Sequence, residues 1–293
     1  MLVLHLNHAL AENLKVETVR LPSLRIQGQA ARAHTQGMEI ADGKHYVTAR
    51  RDDVFPKRAL LLRTSPTATD WDVWDITPVD AAGSVTALDH PGGMQSDGQR
   101  LWIPVAESKR KGRSVIRAFR IADMVLGQPL KVEFEFPVDD HIGAVAISPG
   151  GKVILGANWD TEAVFLWDFE GRLLRSLTGS ELGDCELGVV SGSPNRAGLT
   201  VQDWKMVGDR LFASGLFRSA SGNPPSPQSR LLIFTAFLEP GFQRRTITLP
   251  AWQETELARE AMAIVDGEVY FLPDDLGATN RMFRVSLADL MKQ

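Results

Sequence analysis

The residues in this chain that could carry chemistry are histidines and carboxylates that recur at matching places. His34 and Gln36, His90, the run Asp139, Asp140 and His141, the pair Gln202 and Asp203, and the pair Arg259 and Glu260 each open one of five similar stretches. Imidazole nitrogen with carboxylate oxygen suits zinc, manganese or calcium, and His34, His90, Asp140 and Glu260 are the candidate ligands of a divalent ion. Without a metal, the same groups suit proton transfer, with Glu260 and Asp140 as candidate acid and base. A third reading is structural: the side chains satisfy each other and buried waters. No HExxH pair or EF-hand loop selects the metal, and no GxSxG, P-loop or dinucleotide GxGxxG offers another chemistry.

A second set of charges lies further along each stretch. Arg50 and Arg51, with Lys57 and Arg58, and then Lys109, Arg110, Lys111 and Arg113, are basic; Asp160 and Glu162, and Asp274 and Asp275, are acidic. If these share one face, the rim is basic on one side and acidic on the other, and Arg50 and Arg51 form a clamp for an anionic ligand. The alternative is a set of solvated loop charges. His34, Gln36, His90, His141, Gln202 and Asp203 complete the candidate ligand contacts. Trp159, and with it Trp204, stands at a strand end where an indole could wall a pocket.

What positions these groups is a repeat. HTQGMEIADGKHYV from His34 returns as HPGGMQSDGQRLWIPV, DHIGAVAISPGGKVILG, TVQDWKMVGDRLFAS and LAREAMAIVDGEVYFL. Counted from Gly37, Gly93, Gly143, Asp203 and Ala261, the spacings are 56, 50, 60 and 58 residues. Periods of this length belong to solenoids or propellers, and the short alternating segments cut by Gly, Pro, Asp and Asn select the propeller. Each unit holds four strands. The first reads 38–40, 45–48, 59–63 and 72–77; the second 90–95, 101–106, 114–121 and 131–137; the third 144–147, 153–157, 163–167 and 173–177. The fifth offers only 261–264, 268–272 and 281–285, and the alternating KVETVRL of 15–21 supplies its missing strand. The prediction is one all-β domain over residues 1–293, a five-bladed β-propeller of four-stranded antiparallel blades closed by the N-terminal strand. Its blades span roughly 34–79, 89–138, 139–178, 199–250, and 257–286 with 15–22. A short helical tail is expected over 286–292.

Composition narrows the rest. A hydrophobic share of 44% with 23% charged residues is that of a globular chain. A net charge of −4 argues against a nucleic-acid partner, and no apolar run is long enough to span a bilayer as a helix. Cys185 is the only cysteine, which rules out an intrachain disulfide and a thiolate cluster. The apolar start is followed by Ala9-Leu10-Ala11 but is without a positive n-region or a long apolar core. It reads either as a clipped secretory signal, which favours a periplasmic or secreted protein, or as an ordinary ordered end of a cytoplasmic one. Two long interruptions, 178–199 and 218–229, are loops of a length that is usually functional or mobile.

The segment HTQGME at 34–39 resembles the first blade of plant- and bacterial-type glutaminyl cyclases, five-bladed propellers that open with Phe-Thr-Gln-Gly. Thr35, Gln36 and Gly37 match that pattern, and His34 replaces its Phe. EAMAI leading into a strand and an Asp is similar to phytase-like and lactonase-type propellers. Across the whole chain, LDHPGGMQSDGQRLWIPV, DDHIGAVAI, VQDWKM and EAMAIVDGEVYFLPDD look like an uncharacterised bacterial propeller family of unknown function. The resemblances imply the architecture and no single reaction. The expected function is binding of a small polar or anionic molecule at the axial mouth, with hydrolase or cyclase chemistry there. The alternative is a non-catalytic scaffold presenting a face to another protein.

Overall fold

Sequential antiparallel pairing builds the molecule. The computed structural model describes residues 14–150, 152–178, 180–183, 186–187, 198–218, 227–237, 239 and 241–293. The signal-like start, Cys185, and most of the 178–199 and 218–229 interruptions lie outside the described residues. The chain forms a five-bladed β-propeller. Blade I runs outward through His34–Ala41, Lys44–Arg51, Arg58–Thr64 and Asp72–Asp75. In blade II the innermost strand is split into Leu88–Pro91 and Gln95–Ser96, both paired with Arg100–Glu107, which Ser114–Arg120 and Val132–Val138 follow. Blade III is Ile142–Ile147, Ile154–Asn158, Ala163–Trp167 and Leu173–Thr178. Blade IV is Gly198–Val207, Arg210–Arg218, Gln228–Thr235 and Gln243–Thr248.

Blade V consists of Ala261–Val265, Glu268–Leu272 and Asn280–Ser286, with Val16–Leu21 as its outer strand. Val16 pairs with Val285 and Leu21 with Asn280, so the N-terminal strand closes the last blade. Closure hides edges that would otherwise offer unpaired backbone groups. The expected tail appears as a short helix, Leu287–Leu290, whose Asp289 amide donates to the Ser286 hydroxyl.

Local sequence explains the hairpins. Asp42-Gly43 and Asp266-Gly267 both have positive φ at two consecutive positions, the geometry of a type I′ turn that Asp-Gly favours. The strands of one blade are apolar on both faces because each face meets a neighbouring blade. In Arg58–Thr64, Leu60 and Leu62 pack toward blade V while Ala59 and Leu61 pack toward blade II. Among the described residues the buried apolar side chains fall into five clusters, one in each interface between blades.

At the axis the innermost strands approach closely. A Cβ on Gly93 would sit 2.5 Å from Asp203 Oδ1 and 2.7 Å from the Ala144 Cβ, which is why this position is glycine. Gly93 is bridged in parallel to Ala144, one residue past the Gly143 that the repeat spacing aligns. Gly143 is instead an inserted residue: Ile142 pairs with Asn158 and Ala144 with Ala157. The same two-for-one slip sets Gln36 between Thr35 and Gly37, and Gln202 between Val201 and Asp203. Three blades therefore carry a β-bulge at the same height, the device that re-aims a side chain out of a regular ladder.

Asp203 then corrects the expected ring. It is the centre of a buried hub and does not line the cavity at the mouth. Its side chain is fully buried, with Oδ1 accepting from the Lys205 ammonium at 2.7 Å and the Trp204 amide at 2.9 Å. Oδ2 accepts from the amides of Met38 in blade I and Met262 in blade V. Lys205 also donates to the Met94 carbonyl of blade II at 2.8 Å. Burial works to raise the Asp203 carboxyl, and Lys205 and the amides oppose it. Gln95 adds the third side of this hub by bonding Ile147 of blade III and Met206 of blade IV. Trp204 likewise belongs to the core between blades III and IV.

Candidate functional site at the axial mouth

The three bulges open onto one cavity. It has a volume of about 240 Å³ and is lined by His34, Gln36, His90, His141, Gly143, Asn158, Trp159, Asp160, Thr200, Val201, Gln202 and Glu260. Gln36, Gly143 and Gln202 are the inserted residues of blades I, III and IV. A Cβ on Gly143 would meet open space, with its nearest neighbour the Ala157 carbonyl at 3.9 Å. Blade III thus leaves a gap where blades I and IV supply amides.

The imidazoles are held in defined states. Arg50 can only donate, so its Nη1 contact at 3.0 Å makes His90 Nδ1 an acceptor and leaves the proton on Nε2. His90 Nε2–H then donates to Gln36 Oε1 at 2.7 Å. Burial, followed by the neighbouring His141 and Arg50, holds the His90 imidazole well below its usual range, so the ring is neutral. His141 donates from Nδ1 to the Glu107 carbonyl at 2.7 Å, and burial depresses it too. The rings of His90 and His141 meet edge-on at 5.1 Å, and Trp159 packs against His141 at 4.6 Å. Together they make one aromatic wall.

Opposite in character are His34 and Glu260. His34 Nδ1 bonds Asp275 Oδ1 at 2.6 Å, which fixes the ring and leaves Nε2 as its other polar atom. Glu260 is the least stabilised carboxylate of the cavity. Its side chain is 12% exposed, and its closest cation, the Arg259 Nε, is 3.9 Å away. Burial pushes the carboxyl up to about 8; Arg259 opposes this weakly, and Asp275 and Asp274 add to it. At neutral pH Glu260 is therefore a protonated carboxylic acid, a hydrogen-bond donor inside a polar cavity.

Several expected members are elsewhere. Asp140 does not line the cavity: its carboxylate accepts from Asn158 Nδ2 at 2.8 Å and from the His141 amide at 2.7 Å, and so positions two residues that do. With Asp140 turned away, the metal set of His34, His90, Asp140 and Glu260 is not assembled. No group of three or more His, Cys, Asp or Glu side chains placed to hold a metal ion occurs among the described residues. The Arg50 and Arg51 clamp is also split. They are neighbours on one strand, and strand neighbours point to opposite faces. Arg50 reaches the His90 side, while Arg51 lines a different cavity with Arg58.

The rim is not a basic half facing an acidic half. Arg50 forks onto Asp52, Lys57 joins the same carboxylate, and Arg51 pairs with Asp53. Arg110 crosses from blade II to blade III, where it pairs with Asp160 and Glu162 and lies over Trp159 with 5.7 Å to the ring centre. Glu107 anchors that loop: the Arg113 amide, then Lys109, hold its carboxylate down to about 2. Asn158 and Asp275 are site residues whose roles sequence reading does not reveal. Asn158 precedes the Trp159 that reading does select, and Asp275 reads only as a rim charge.

Comparison with known proteins yields one family and, among solved structures, likenesses of fold. A family model described as a family of unknown function (DUF6454) matches residues 74–223. No curated protein matches significantly. Among solved structures, the catalytic domain of a Coprinopsis cinerea GH62 alpha-L-arabinofuranosidase superposes with a TM-score of 0.52 at 7% identity, covering 94% of this chain and 98% of that one. The phage phi92 endosialidase gives 0.50 at 8% identity, over 94% and 69% of the two chains. A luciferin-regenerating enzyme gives 0.47 at 10% identity, over 90% and 79%. At such identities the likeness is one of fold alone. The cyclase resemblance of residues 34–39 is not confirmed by these matches. Among the described residues no helix is long and apolar enough to cross a membrane.

Proposed function

We propose that this chain, which belongs to the DUF6454 family of unknown function, binds a small polar ligand at the axial mouth and uses Glu260 as a proton donor toward it. The observation that carries this reading is Glu260 itself. It is a carboxyl raised to about 8 in a cavity whose other carboxylate, Asp160, is paired with Arg110, while the cation nearest Glu260, Arg259, stands 3.9 Å away. Gln36, Gln202 and Asn158 offer amides, and Trp159 with the two imidazoles offers an aromatic wall. Such a lining fits a compact molecule rich in hydroxyl or amide groups.

In the catalytic form of this reading, Glu260 protonates a leaving group. His34, oriented by Asp275, accepts a proton from the attacking water or internal nucleophile. Hydrolysis and cyclisation share this division of labour. Activity then falls as pH rises through about 8, where Glu260 loses its proton. The test is a thermal-shift screen of small polyols, monosaccharides and amides. A compound that stabilises the protein must lose its effect in both Glu260→Gln and Trp159→Ala. Undiminished binding in those two variants would remove the mouth as the site.

A further inference from the structure

Blade I carries a second cavity, away from the axis and larger than the mouth, at about 560 Å³. Leu60, Val73 and the buried Trp71 give it an apolar lining, while Phe55 and Leu126 stand at it 99% and 61% exposed. Its charges are unusual. Arg51 and Arg58 are direct cross-strand partners on the antiparallel ladder, an arrangement of like charges that weakens a sheet. Arg25 joins them, against Asp75 as the one carboxylate among the lining residues.

Existing partners do not use up these guanidinium groups. Arg51 bonds Asp53 through Nε at 2.7 Å, and Arg58 Nε lies 3.4 Å from Asp75. Arg58 Nη1 is buried with no hydrogen-bond partner among the described residues. A buried donor left unmade is costly, and a guanidinium fork is shaped to grip a carboxylate through two parallel bonds. With Asp53 counted as well as Asp75, three arginines still exceed their anions.

We propose that this cavity is a binding site for a small amphipathic carboxylate, whose acid group bridges Arg51 and Arg58 and whose apolar body lies against Leu60, Val73 and Trp71 beneath Phe55. The Arg–Arg ladder pair is then a recognition element rather than a defect of the sheet. The ligand supplies the negative group by which the three arginines exceed Asp53 and Asp75.

The experiment displaces 1-anilinonaphthalene-8-sulfonate from the full chain and follows its fluorescence. Decanoate displaces the probe saturably, and decylamine, with the same chain length and opposite charge, does not. Arg51→Gln and Arg58→Gln each weaken decanoate by about tenfold or more, the loss expected for a charge-assisted bond, while melting as the parent does. Glu260→Gln, at the mouth, leaves decanoate displacement unchanged, which separates this site from the one proposed above. Equal displacement by decylamine overturns the proposal, and that comparison uses only the parent protein. So does unchanged decanoate affinity in whichever arginine variant folds, or displacement by hexaglutamate where decanoate has no effect.

Discussion

Asp203 and Glu260 are both carboxyls near the axis, the first fully buried on the innermost strand of blade IV and the second partly buried just before that of blade V, and they have opposite surroundings. Asp203 receives four donors: three backbone amides and an ammonium. Glu260 has a distant arginine and two neighbouring carboxylates. The first arrangement ties blades together; the second leaves a proton in place and a donor facing a cavity. Burial alone therefore does not mark a functional acid. What marks it is burial without matched partners.

The contrast can be broken at either end. Asp203→Ala should have the largest effect, because it strands the Lys205 ammonium inside the hub. Losing one partner of a buried pair costs about 3–5 kcal/mol, measurable by urea denaturation. Glu260→Gln should act in the other direction. The parent's Glu260 keeps its proton up to about pH 8 when folded but releases it near 4.5 when unfolded, so folding becomes less favourable as pH rises between those values. The variant lacks that slope, and above pH 8 it should be the more stable protein by on the order of a few kcal/mol. Below pH 4.5 this term vanishes. Glu39, which burial pushes up to about 7, gives a slope of the same sign that remains in both proteins.

Much of the ring could be read from the chain because its causes are local. Asp-Gly turns, period-two alternation and an alternating N-terminal segment each act within a few residues, and all five blades and their closure follow from them. The glycine and aspartate used to phase the repeat do meet at the axis, with blade III one residue out of step. That slip is a bulge, and bulges show only in the partner strand's register. The fate of Asp203 depends on amides 165 and 59 residues away, at Met38 and Met262, which no local pattern announces. Asp140 is absent from the cavity lining for the same reason, since Asn158 bonds its carboxylate across a hairpin. The splitting of Arg50 from Arg51 was available from strand alternation.

Smaller effects sharpen the mouth itself. Arg50→Gln removes both a donor to His90 Nδ1 and a nearby positive charge, so the His90 imidazole should move back up toward its usual range in an NMR titration. Its effect on stability should stay within about 1 kcal/mol. Arg110→Ala should cost least, within about 0.5 kcal/mol, because its ion pairs with Asp160 and Glu162 are partly exposed. It uncovers one side of Trp159, so a change in indole fluorescence with an unchanged melting temperature is the expected signature.

The central claim concerns one proton. Carbon-13 NMR of glutamate side-chain carboxyls, recorded from pH 3 to 10 on the parent and on Glu260→Gln, follows it directly. A resonance titrating near 8 that disappears in the variant is the predicted result. A Glu260 resonance titrating in the ordinary range near 4.5 would contradict the account, because the cavity would then hold a solvated carboxylate and no acid.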